Sequence, residues 1–283
     1  MTSISKGAYL PREDRYIVVG DVHGAIDELY QLLLQNGIKI DATSGLIDSS
    51  SLYTIILLGD FIDRGEPAKI QETIHFLYRN LLHLNQTKER LFLIMGNHED
   101  RVYHYITQEP TAPLSLHLKE EQLKYYETSL LLAKDPVLKR EFLMLYRHAY
   151  TWLKYAYSEE FSITMTHAPC PQAYLAQSGA EAHQRMIKCA SRSQNPHYSL
   201  DELLPYLIEE AEDNGHYHLF GHLSQPNIRR YKNKICIDTA AIYGNRLSAL
   251  ILEGERFRFD AVPFLERQKA VTLRYNLLFD FGH

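Results

Sequence analysis

Residues 59–65 read Gly-Asp-Phe-Ile-Asp-Arg-Gly and follow directly on the apolar run 53–58. A short, unbroken apolar run is the pattern of a buried strand, and α/β proteins place their chemistry at the carboxyl ends of such strands. Asp60 is the carboxylate delivered there. Asp63 and Arg64 add a second acid and a planar cation suited to phosphate oxygens, and Gly65 lets the loop turn away. Two other stretches share this build: GDVHG at 20–24 after the run 16–19, and GNHED at 96–100 after the run 91–95. Three strands therefore each end in glycine followed by metal-ligand or acid-base side chains.

Outward from these motifs, Ile26, Leu29 and Leu33 at helical spacing predict a helix to about Asn36, with Gly37 as its stop. Residues 41–51 read as a loop. Pro67 in a first-turn position, with Ile70, Ile74, Leu77 and Leu81 on one face, predicts a second helix. Two strand-helix-strand crossovers imply a parallel sheet with helices packed on it. Residues 1–14 read as an irregular lead-in.

From 100 to 160 the pattern is helical without strands. Leu116, Leu123, Tyr126 and Leu130 keep a three-and-four spacing. After Asp135-Pro136, so do Leu138, Phe142, Leu145, Ala149, Trp152 and Ala156. This insertion, 101–160, is either a layer covering the sheet or a cap that helps choose substrates, with Arg101, Arg140 and Arg147 available for the second task. Residues 161–166 predict a fourth strand ending at His167, and a helix follows near 180–190. Ser199 with Glu202 forms a capping box ahead of Leu203, Leu207 and Ile208. His218 to Phe220 lead into Gly221-His222. Hairpins at 228–238 and 246–262 suggest a second sheet. The expected whole is a single α/β domain over 1–283, a two-sheet sandwich with helices outside.

At 283 residues the chain can bury a full core. A net charge of −5 and a pI near 6.3 speak against a general nucleic-acid or membrane-surface binder, whose footprint is basic. Cys170, Cys189 and Cys236 have no CxxC spacing, so neither a disulfide framework nor a cysteine-based zinc site is indicated. No signal-peptide core and no bilayer-length apolar span are visible, and a cytoplasmic protein is expected.

The strand-end residues collect as Asp21, His23, Asp60, Asn97, His98, His167 and His222. Carboxylate, carboxamide and imidazole together suit Mn, Fe or Zn rather than Ca or a thiolate site. Asp21 and His23 can reach one ion from a single loop, Asp60 can bridge, and Asn97, His167 and His222 can complete a second. Two divalent ions so placed would hold a bridging hydroxide able to attack phosphorus at neutral pH, with Arg64 taking the remaining charge. His98 would protonate the leaving oxygen, oriented by Asp63. His104, His117, His148, His183, His197, His216 and His218 fall outside the pattern and read as structural or surface groups.

These residues resemble the calcineurin-type metallophosphoesterase superfamily, and within it the phosphoprotein phosphatase branch with its GDxHG, GDxxDRG and GNHE signature. The resemblance spans about 16–252 and includes His167, His222 and the segment IDTAAIYGNRLSAL at 237–250. It implies a four-layer αββα sandwich. One metal would be bound by Asp21, His23 and Asp60, and the other by Asp60, Asn97, His167 and His222. It also implies His98 with Asp63 as the acid pair, and Arg64 and Asn97 facing the substrate. Arg185 and Arg192 occupy the interval of the family's second phosphate-binding arginine. Two departures bear on substrate: Ala168, Pro169 and Cys170 follow His167, and Ala240-Ala241 stand where a glycine is usual.

The leading expectation is a phosphomonoester hydrolase acting on phosphorylated proteins. The alternative within the same chemistry is symmetrical hydrolysis of dinucleoside tetraphosphates. A metal- or nucleotide-binding module without turnover is the alternative of another class, and retention of Asp63 and His98 argues against it.

Overall fold

The computed structural model describes residues 6–107, 127–188 and 207–264. The first half contains β1 (Gly7–Leu10), β2 (Arg15–Val19), α1 (Ile26–Gln35), β3 (Tyr53–Leu57), α2 (Pro67–Leu84), β4 (Leu91–Leu93), α3 (Asn97–Thr107), α4 (Glu127–Lys134) and α5 (Pro136–His148). The second half contains β5 (Trp152–Ala156), β6 (Ser162–Thr166), α6 (Ala180–Lys188), β7 (His216–Phe220), β8 (Arg229–Tyr231), β9 (Lys234–Cys236), a 3₁₀ turn (Ala241–Tyr243), β10 (Arg246–Glu253) and β11 (Arg256–Pro263). Among the described residues no helix is long and apolar enough to cross a membrane.

The strands form a five-stranded sheet in the order β11-β10-β2-β3-β4 and a six-stranded sheet in the order β1-β5-β6-β7-β9-β8. Side chains alternate across a strand, so the unbroken apolar runs have two faces to bury. Ile17, Val19, Ile55, Leu57, Leu91 and Leu93 join the core formed with α1, α2 and α5. Tyr16, Val18, Ile56, Leu58, Phe92 and Ile94 meet Leu153, Tyr155, Ile163, Met165, Leu219 and Ile235 of the other sheet. A smaller cluster of Cys170, Leu175, Ala182 and Met186 lies at α6, with Trp152 packed against it. The result is the layered α/β sandwich expected from the sequence.

Local signals set several boundaries. Gly37 takes a left-handed conformation (φ 77°) just past α1. Asp135 caps α5 by accepting the N–H groups of Val137 and Leu138, with Pro136 opening the helix.

Three expectations are corrected. Residues 7–10 are a strand rather than an irregular lead-in, paired in parallel with β5. The helix predicted through Ala156 ends at His148, and 152–156 form β5. A four-residue step fits both a helix and a strand of period two, so Trp152 and Ala156 satisfied the helical count while Leu153 and Tyr155 are the buried pair. The hairpin β10–β11 joins the first sheet, with β10 antiparallel to β2, rather than the second. Leu116, Leu123, Tyr126, Cys189, Arg192 and the capping box at Ser199 and Glu202 lie outside the described residues.

Candidate dimetal centre

Among the described residues, all the predicted site residues except Arg185 follow the carboxyl ends of strands. The loop after β2 carries Asp21 and His23, that after β3 carries Asp60, Asp63 and Arg64, and Asn97 and His98 follow β4. His167 follows β6 directly and His222 follows β7. Close approach of these loops excludes side chains at two points: a Cβ on Gly96 would collide with Asp60, and one on Gly221 with the carboxylate of Asp21. Strain collects here too. Eight non-glycine residues have positive φ among the described residues, and five of them are His23, Asp60, Asp63, Arg64 and His222.

The arrangement converges on one oxygen. Asp60 Oδ2 lies 3.3 Å from His167 Nε2, 3.6 Å from His23 Nε2 and 3.9 Å from His98 Nε2. Its other oxygen accepts the backbone N–H of His98 at 3.0 Å. Two compact donor groups result, His23–Asp60–His98 and Asp60–His167–His222, and Asp60 belongs to both. His222 Nδ1 is 3.2 Å from His167 Nε2, and Asn97 Oδ1 is 3.1 Å from the same nitrogen.

Asp21 sits beside these groups. It is buried beside the cluster, but its carboxylate accepts the N–H of His222 at 3.1 and 3.2 Å and is not part of either compact group. His98 stands in the first group instead. Arg185 lies on α6, bonded to Glu181 at 3.4 Å and with its Cζ 4.9 Å from the ring centroid of Tyr174.

The histidine geometry tests whether metal ions fit. His23 Nδ1 donates to the Ile62 carbonyl at 2.7 Å, and His167 Nδ1 to the Leu58 carbonyl at 2.7 Å. Both tautomers then leave an Nε2 lone pair facing an oxygen of Asp60, an arrangement that needs a proton or a cation between the two. Electrostatics agrees. Burial holds His23 well below its ordinary pKa, and burial together with the charge of His167 pushes His222 down to about 3. Neutral imidazole is the ligand form. Burial opposes the charging of His167, yet Asp60 outweighs it and the pKa is raised; Asp60 in turn, despite burial, is held well below the carboxylate range by His167 and His98. Asp21 is pushed well up by burial, then by Asp238 and Asp60, and burial also raises Asp238. Acids crowded into an apolar interior favour a cation among them.

His98 Nδ1 lies 2.8 Å from Asp63 Oδ2, and its Nε2 is 3.4 Å from the Arg64 guanidinium. Asp63 is fixed from the helical region: its N–H donates to Thr128 Oγ1 at 3.1 Å, while Thr128 N–H returns a bond to Asp63 Oδ1 at 3.3 Å. The helices α4 and α5 pack on α2, and both also contact α3.

Sequence reasoning missed Thr128, Glu99 and Asp238 as supports. Glu99 was visible inside GNHED, but only the fold shows its carboxylate accepting the N–H groups of Asp60, Phe61 and Gly96, each at 2.9 Å. Asp238 accepts Ser224 Oγ at 2.6 Å and the Ala240 N–H at 3.0 Å. Thr128 and Asp238 had no strand-end glycine to mark them.

A fold that gathers histidine, aspartate and asparagine at strand ends around one shared carboxylate defines a metallophosphoesterase. The chain belongs to the calcineurin-like phosphoesterase family, whose match covers residues 15–226, and is a phosphoester hydrolase of that type. The family carries divalent ions in a dinuclear site, and the donor set here fits one. A bis(5'-nucleosyl)-tetraphosphatase PrpE of Oceanobacillus iheyensis, designated asymmetrical, is 25% identical over 245 residues, covering 82% of this chain and 86% of its own. A protein of the same designation from Bacillus thuringiensis strain Al Hakam is 23% identical over 236 residues, covering 83% and 89%. A solved structure assigned as a diadenosine tetraphosphatase matches 92% of this chain and 98% of its own, with a TM-score of 0.58 and 18% identity.

Proposed function

We propose that this hydrolase cleaves dinucleoside tetraphosphates. The observation that carries the two-ion chemistry is the convergence of three imidazoles on Asp60 Oδ2. The substrate reading is supported by the designations of its relatives. The phosphoprotein expectation gains nothing from them and gives way to it. The sequence reading favoured the symmetrical cut as the alternative; the relatives are designated asymmetrical, and the proposal follows them.

In this reading Asp21, His23 and Asp60 hold one ion, and Asp60, Asn97, His167 and His222 the other, with manganese the first to test. When bound, the ions supply Lewis acidity and lower the pKa of water enough for attack on phosphorus at neutral pH. The chain's own residues do the rest. Arg64 presents a planar donor fork to the phosphate chain beyond the cluster. His98 donates a proton to the leaving oxygen from Nε2, because Asp63 holds its Nδ1. Thr128 keeps Asp63 in place from α4.

The test is turnover of diadenosine tetraphosphate, a phosphopeptide and p-nitrophenyl phosphate by manganese-loaded protein, with the nucleotide products resolved. Off-centre cleavage yields adenosine mono- and triphosphate, whereas central cleavage yields two diphosphates. Activity on the phosphopeptide alone would overturn the proposal. Two bound ions with no turnover of any substrate would favour the binding-module reading.

A further inference from the structure

Arg64 reaches the site from a left-handed backbone position (φ 64°) and its side chain is exposed. A long exposed arginine has many rotamers, so each contact that orients its guanidinium narrows them. Beyond the 3.4 Å approach to His98, its Cζ lies 5.5 Å from the ring centroid of Tyr243. Tyr243 closes the 3₁₀ turn Ala241–Tyr243 between Ala240 (φ 60°) and Gly244 (φ 86°). That turn is fixed at several points. Ala240 N–H donates to Asp238, Tyr243 N–H to the Ala240 carbonyl, and Asn245 Nδ2 to the carbonyls of Thr239 and Pro226. An aromatic face on a hydrogen-bonded turn thus stands against the guanidinium.

We propose that Tyr243 is a positioning residue: its ring holds the Arg64 guanidinium over the site and thereby sets the affinity for the phosphate chain. The inference rests on the reading of Arg64 as a phosphate ligand. An aromatic ring supplies this hold through its face, so phenylalanine serves and an aliphatic side chain does not. Tyr243 lies within the 237–250 segment and takes no part in the proton transfer assigned to His98 and Asp63.

Steady-state kinetics on diadenosine tetraphosphate, and inhibition by inorganic phosphate, are compared in Tyr243→Phe, Tyr243→Leu, Arg64→Ala and the Arg64→Ala/Tyr243→Leu double variant. Tyr243→Leu is expected to raise KM and the phosphate inhibition constant by about two- to fivefold, the range of an exposed cation–π contact, with kcat within about twofold. Tyr243→Phe keeps wild-type values. In the Arg64→Ala background the leucine substitution adds nothing, because Tyr243 acts through Arg64. Tyr243→Met replaces the leucine variant should the latter fail to melt cooperatively. Equal effects of the substitution with and without Arg64, or unchanged constants in a well-folded Tyr243→Leu, overturn the inference alone. An Arg64→Ala variant with unaltered phosphate inhibition removes the phosphate-ligand reading and the inference with it.

Discussion

Glu99 accepts the backbone N–H of Asp60 at 2.9 Å, and the same carboxylate also takes the N–H groups of Phe61, Ile62 and Gly96. One side chain thus ties the second motif to the third and fixes the left-handed turn at Asp60. Glu99→Ala strands four buried donors, each costing about 1–3 kcal/mol when unpaired, less what water restores. The expected net loss is on the order of 3–5 kcal/mol in urea denaturation. A loss under about 1 kcal/mol would show that the loops hold without it.

His98→Asn keeps a polar side chain but removes the proton donor. On an alkyl phosphate, whose leaving oxygen is strongly basic, kcat should fall by about 10²–10⁴. On p-nitrophenyl phosphate or a dinucleoside tetraphosphate the leaving group is acidic, and the fall should be far smaller. Equal losses on all three would sink the proton-donor role.

Asp60 is shared by both donor groups, so Asp60→Asn should abolish binding of both ions rather than one. Metal content per chain after dialysis reads this directly. Chelation of the wild type should lower its melting temperature, and free metal at about 100 times Kd should return about 2.7 kcal/mol. Retention of one equivalent of metal in the variant would contradict a shared carboxylate.

His218, on β7 and 1% exposed, is held well below its ordinary pKa by burial and then by the charge of Lys234. In the unfolded chain it takes a proton near pH 6.5; in the folded chain it stays neutral well below that. The unfolded state therefore binds more protons under pH 6.5, and stability falls as pH drops through that range. Between pH 7.5 and 5.5 this one group should cost about 1.4 kcal/mol. His218→Gln should flatten the acid limb of the stability profile by that amount, checked by denaturant titration at the two pH values.

Ala240 holds a left-handed conformation at φ 60°, where its Cβ crowds the backbone. Ala240→Gly should relieve about 1–2 kcal/mol of that strain, offset by about 0.4–1 kcal/mol of added unfolded-chain entropy. A net gain of about 0.5–1 kcal/mol in thermal or chemical unfolding is expected, with metal content unchanged.

Much of the site was legible because its residues are carried by motifs that announce strand ends. Asp60, His167 and His222 are brought together as GDFIDRG and the short Thr-His and Gly-His endings suggested. Asp21 was legible as a strand-end carboxylate, whereas its bond to the His222 N–H joins loops from two different sheets and has no local signal. The same limit hid Thr128, which reaches Asp63 across 65 residues of chain. In the fold, β2 to β4 were plain because burial on both faces forces an unbroken apolar run. The missed strands β1 and β5 are partners of one another at the sheet edge. One is four residues long and mostly exposed, the other alternates with a lysine on its outer side, and neither carries that run.

The pairing of β2 with β10 joins Val19 to Ala249. Until β10 is made, the apolar flank of β2 has no neighbour on that side, although four of its five residues end up fully buried. On the ribosome that interval spans on the order of 230 residues, or roughly 10–45 s at ordinary elongation rates. For that time the nascent chain carries an open, hydrophobic strand edge, the type of surface that recruits other strands. Synthesis of this protein therefore exposes an aggregation-prone intermediate by topology alone, and a holding chaperone has most to offer between completion of β4 and emergence of β10.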